Sequence, residues 1–82
     1  MSDKTVRDAV LDTVLNQIDT GDPPEARATY DRLIDGGASN SQALQLMAAV
    51  LRVEMNEMLT KSTPFDNARY GVGLAKLKPP GD

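Results

Sequence analysis

The chain has 82 residues, 40% of them hydrophobic but only 4% aromatic, and a net charge of −3 with no histidine and no cysteine. That length suits one domain whose core Leu, Val, Ile, Met and Ala must fill, without disulfides or thiolate metal sites to staple it. The missing histidine removes the commonest general base and metal ligand, and the acidic balance opposes a general attraction to nucleic acid or anionic lipid.

In chain order, residues 3–19 predict a first helix. Val6, Val10, Leu11, Val14, Leu15 and Ile18 recur on one side at helical spacing, and Ser2 or Asp3 can cap the start. Gly21 follows the last periodic residues, where a left-handed residue closes a helix. The stretch Gly21-Asp22-Pro23-Pro24-Glu25-Ala26 then reads as a helix stop followed at once by a helix start. Asp22 is an N-cap type, Pro23 suits the first helical position, and Glu25 stands at capping-box spacing. Ala26, Tyr30, Leu33 and Ile34 form the apolar face of this second helix, which Gly36-Gly37 ends. A phosphate-holding turn is disfavoured, because one glycine beside two carboxylates lacks the converging N–H groups such a turn needs.

Ser39 faces Gln42 at capping-box spacing and opens a third helix reaching Lys61, about 33 Å long at 1.5 Å per residue. Its main stripe is Leu44, Met47, Ala48, Leu51, Met55, Met58 and Leu59. Leu46, Ala49, Val50 and Val53 form a second apolar group, read as lying on the opposite side, so the helix is expected to be central and covered on both sides. Ser62-Thr63-Pro64 breaks it. Asp66 caps a fourth helix over 67–77, with Phe65 and Tyr70 at the spacing of a hydrophobic staple. Gly71 and Gly73 weaken that helix, and Leu74 and Leu77 anchor it. Residues 1–77 read as one domain and 78–82 as a flexible tail. No strand pattern or internal repeat is visible. The lack of an 18-residue apolar run or secretory segment leads to the expectation of a cytoplasmic protein with no membrane contact.

From about Asp22 onward the chain resembles a small helical module of uncharacterised bacterial proteins of unknown function. Pro23-Pro24, Tyr30-Asp31-Arg32-Leu33, Gly37, Ser39, the Ala43–Leu51 run, Glu54, Pro64-Phe65-Asp66 and Arg69-Tyr70 carry the resemblance. It implies an α-helical fold in a bacterial, cytoplasmic protein and transfers no activity to any residue. A looser likeness to ubiquitin-associated domains at Asp35-Gly36-Gly37-Ala38 lacks the Met and aromatic that such domains present, so ubiquitin binding does not carry over.

Four constellations could carry chemistry. Asp8, Asp12 and Asp19 share one side of the first helix, but a hard-cation site needs oxygens converging from several directions, so a solvated face is the simpler reading. Glu54 and Glu57, one turn apart, could divide acid and base roles only if a cleft separated their environments. The second and third helices suggest a helix-turn-helix led by Ser39-Asn40-Ser41-Gln42, yet few cations stand nearby to neutralise phosphates. Met47, Met55 and Met58 are core-spaced gap fillers before they are an adaptable groove.

These observations predict an all-α, small four-helix domain with a long central third helix. The expected function is non-enzymatic: a small protein acting through a protein partner or as a homodimer. The partner-binding candidates are Leu46, Val50, Val53, Glu54 and Glu57. No catalytic, cofactor-binding or metal residue is assigned, and no small-molecule ligand is evident. The alternatives are a small DNA-associated regulator and, behind it, a carboxylate-based enzyme.

Overall fold

A computed structural model describes residues 2–80, with side chains from Asp8 onward. It contains four helices and, among the described residues, no strand: α1 (Ser2–Thr20), α2 (Pro24–Asp35), α3 (Asn40–Lys61) and α4 (Asn67–Ala75). The fold is all-α, and α3, the longest helix at 22 residues, packs against the other three. No described helix is long and apolar enough to cross a membrane. The expected caps at Ser2 or Asp3, the Val6 side chain, and Gly81-Asp82 lie outside the described residues.

The core takes residues from every helix. Val14, Leu33, Met47, Tyr70 and Leu74 are its largest fully buried side chains, with Val10, Ala26, Ala43 and Leu51 between them. Each large apolar side chain removed from water contributes roughly 1.5–3 kcal/mol, so a handful of residues carries much of the stability. Two members of the expected stripes fall outside this core: Leu15 is 46% exposed and Leu59 is 72% exposed. Leu59 projects about 120° away from Met47 at 100° per residue, on the rim of the stripe rather than in it. Thr29 is buried on α2, whereas Tyr30 is half-buried and donates from its hydroxyl to Asn40 Oδ1 at 2.6 Å.

The turns explain why the helices stop where they do. Gly21 adopts φ 72° and its N–H returns to the Gln17 carbonyl, closing α1 as expected. Gly37 adopts φ 105°, and the following Ala38 N–H reaches back to Leu33 O, satisfying the end of α2. Ser39 opens α3 with the full reciprocal capping box: its hydroxyl accepts from Gln42 N–H, and its N–H donates to Gln42 Oε1.

The start of α2 differs from the sequence expectation. The helix begins at Pro24, Pro23 occupies the cap position with φ −74° and ψ 153°, and no side chain caps it. The physical reason is the proline pair. A residue preceding proline is excluded from the helical region, so Pro23 stays extended and moves the start one residue along. Asp22 therefore sits too early to cap and Glu25 forms no capping box. The Ala26 N–H bonds to the Pro23 carbonyl at 3.0 Å.

The C-terminal segment is tied down by contacts distant in sequence. Arg32 on α2 donates to Leu74 O at 3.0 Å and to Leu77 O at 2.6 Å, so one guanidinium serves two terminal carbonyls of α4 and its extension. Beyond them Pro79 lies over Gly36, where a Cβ would run into the proline ring. Contact with the domain thus reaches past Lys78, the position at which the sequence suggests a free tail.

Candidate interaction surface

The α3–α4 turn builds the site. Ser62, at φ 52°, reverses the chain after α3, and Asp66 caps α4 by accepting from Arg69 N–H at 3.0 Å. Phe65 stacks edge-on against Tyr70 with ring centroids 5.6 Å apart, as the staple spacing predicts. Tyr70 is fully buried and donates from its hydroxyl to Gln17 Oε1 at 2.7 Å, joining α4 to α1. Burial pushes its phenol up to about 12, partly offset by that hydrogen bond.

From this turn α4 runs antiparallel to α3. Arg69 Nε lies 3.4 Å from Glu54 and its Nη1 lies 3.8 Å from Glu57, while Gly73, four residues further, faces Val50. A Cβ at Gly73 would come within 2.8 Å of Val50 Cγ1. The glycine that looks like a weakness in the helix is thus the clearance that lets the two helices approach. Gly71, similarly, faces the Glu25 side chain of α2.

The five candidate residues occupy three different environments. Glu54 is buried, at 8% exposure, and paired with Arg69. Glu57 is half-buried between Arg69 and Lys61, with Lys61 Nζ 2.8 Å away. The hydrogen bond and charge of Lys61 hold its carboxyl below the usual carboxylate range. Val50 and Leu46 are half-buried and pack on the core, and Val53 is 55% exposed. The two apolar groups of α3 are consequently not opposed: Val50 lies only about 60° from Met47 at 100° per residue. They form one continuous wall, with α4 over its near edge and Val53 beyond it.

The charged end opens into a cleft of about 480 Å³ lined by Glu54, Glu57, Lys61, Phe65, Asp66 and Arg69, among others. Its carboxylates and cations largely satisfy one another. Glu54 and Glu57 are bridged by a single arginine, an arrangement that holds α4 to α3 and keeps both carboxylates beside positive charge. No group of three potential metal ligands occurs among the described residues, and Asp8, Asp12 and Asp19 are exposed. The polar residues leading α3 are used locally, Ser39 and Gln42 in the capping box and Asn40 as acceptor for Tyr30.

Sequence reasoning missed Val72. It is 55% exposed, preceding Gly73 on the side of α4 away from Tyr70 and Leu74. Val53 likewise precedes Glu54 on the side away from Met47. Since the inner residues of both helices enter one core, the two valines emerge on the same outer side of the hairpin. The signal was the 3.6-residue period of α4, masked by its two glycines. No known family's model matches the chain, and neither a curated protein nor a solved structure matches it.

Proposed function

We propose that this is a non-enzymatic protein acting through protein–protein contact, in its simplest form self-association, at the outer face of the α3–α4 hairpin. The observation that carries the reading is the pair Val53 and Val72, each 55% exposed on one side of that hairpin. Exposed Ala49 and half-buried Leu46 extend the strip along α3. Contiguous apolar surface on a small domain is more often an interaction site than idle surface. Glu54 and Glu57 contribute from the polar end, where they fix α4 and so the spacing of the two valines. The same reading places the protein in the cytoplasm and beside the bacterial helical module that it resembles.

Sedimentation over a wide concentration range tests it, with circular dichroism as the control for folding. The wild type is expected to dimerise, and Val53→Asp and Val72→Asp to give folded monomers. Val50→Asp is unsuitable, because Val50 packs against Gly73 and a charge there attacks the fold itself. A wild type that stays monomeric at high concentration overturns the self-association reading.

A further inference from the structure

We propose that the end of α2 bearing Arg32 and Gly36 is a seat for an extended, proline-bearing peptide segment, and that residues 77–80 fill it as a strap tethered to the same chain. The inference goes beyond the contact reading above and stands whether or not the α3–α4 hairpin self-associates.

The glycines that follow α1 and α2 divide by what they are for. Gly21 and Gly37 hold φ of 72° and 105°, and a Cβ at either would meet nothing within 4 Å, so backbone conformation alone calls for glycine there. Gly36 is different. Its φ of −81° and ψ of 1° are open to residues with a side chain, yet a Cβ there would run into the Pro79 ring. The strap is what requires glycine at this position.

Arg32 supplies the second hold. It pairs with no carboxylate among the described residues, and its guanidinium goes to two carbonyls instead, Nη2 to Leu74 and Nη1 to Leu77. A rigid fork of donors suits two neighbouring acceptors. The Leu77 N–H also returns to Leu74 O at 3.1 Å, but residues 78–80 make no backbone hydrogen bond among the described residues. Lys78 and Pro80 are exposed and Pro79 is half-buried. One charged fork and one proline ring on a glycine therefore fasten the strap. Few buried contacts and no hydrogen-bond ladder put such a segment at the low-stability end of a fold, where it opens and closes locally. Hydrogen bonds to main-chain carbonyls and a ring on a flat glycine read the extended proline conformation rather than a particular polar side chain. The tether keeps the strap at high local concentration, so a free peptide competes only where the strap's own hold is weakened.

Two measurements on the full-length chain test this. In chemical denaturation, Gly36→Ala should lower the midpoint while Pro79 is present, and should leave it unchanged or raised in a chain that also carries Pro79→Gly. Equal losses in both backgrounds would show that Gly36 serves its own turn and that Pro79 has no seat on it. In NMR, the peptide Leu-Lys-Pro-Pro, blocked at both ends and supplied at about millimolar concentration, should saturably shift the Gly36 amide and Arg32 Nε resonances of the Pro79→Gly chain. The wild type, with its seat filled, should bind the peptide at least about tenfold more weakly. A peptide with glycine in place of its first proline should shift neither chain. No saturable shift in the Pro79→Gly chain, or equal shifts with the glycine peptide, would overturn the seat.

Discussion

The helix α3 meets its neighbours across two walls of opposite character. Into the core the wall is Ala43, Met47, Ala48 and Leu51, all buried and all apolar. Toward α4 it is Val50, Glu54 and Glu57, matched by a glycine and an arginine. The first wall is held by area and close packing, which tolerate no void. The second is held by shape and charge at named points, with two hydrogen bonds from Arg32 of α2 and one to Gln17 of α1 added. A nine-residue helix containing two glycines has little propensity of its own. It is ordered because Tyr70 and Leu74 are fully buried in the core and five side chains elsewhere, Gln17, Arg32, Val50, Glu54 and Glu57, meet it.

The largest effect should come from the apolar wall. Met47→Ala leaves a cavity at a fully buried site and is expected to cost about 2–5 kcal/mol, read as a lower denaturation midpoint. A loss under about 1 kcal/mol would mean that the wall collapses around the gap and that the contrast between the walls is false.

Next comes the seam. Gly73→Ala should gain about 1 kcal/mol in helix propensity but meet Val50, a stiff branched side chain, so overpacking of about 1–3 kcal/mol is set against that gain. A net loss of about 1 kcal/mol is expected, and Val50→Ala in the same chain should recover part of it. Simple additivity in a double-mutant cycle would show that Gly73 and Val50 do not meet as described.

A smaller loss is expected at the α1–α4 link. Tyr70→Phe removes the hydrogen bond to Gln17, worth about 0.5–1.5 kcal/mol. It should also change the alkaline limb of stability. Below pH 10 the phenol is protonated in both folded and unfolded chains; from there to about 12 only the unfolded chain ionises, so the wild type loses stability as pH rises. The Phe variant should lack that component of the loss, and identical alkaline limbs would show that Tyr70 is not held protonated by the fold.

Much of the first wall was legible because it depends on local rules. Met47 and Leu51 follow the 3.6-residue period, and Ser39-x-x-Gln42 and Asp66 are caps that a short window contains. The second wall was not. Arg32 meets carbonyls 42 and 45 residues away, Tyr70 meets Gln17 across 53, and no window shows a glycine which neighbour it must admit. The candidate surface was half legible for the same reason: Val53 stood out on α3, but its companion Val72 needed the register of the hairpin.

The smallest expected effect calibrates the local rules themselves. Asp22 has the residue type of an N-cap and stands before Pro23, so composition assigns it the same duty as Ser39. The structure separates them, since the Ser39 hydroxyl accepts from Gln42 N–H at 3.1 Å whereas the cap of α2 has no side-chain bond. Ser39→Ala should therefore cost about 0.5–2 kcal/mol, and Asp22→Ala, an exposed change, less than about 0.5 kcal/mol. Paired denaturation midpoints decide between the readings. Equal losses would mean that the proline pair does not displace the helix start and that Asp22 caps after all. An unequal pair makes the conformational restriction before Pro24, rather than the choice of capping residue, the feature that sets where α2 begins.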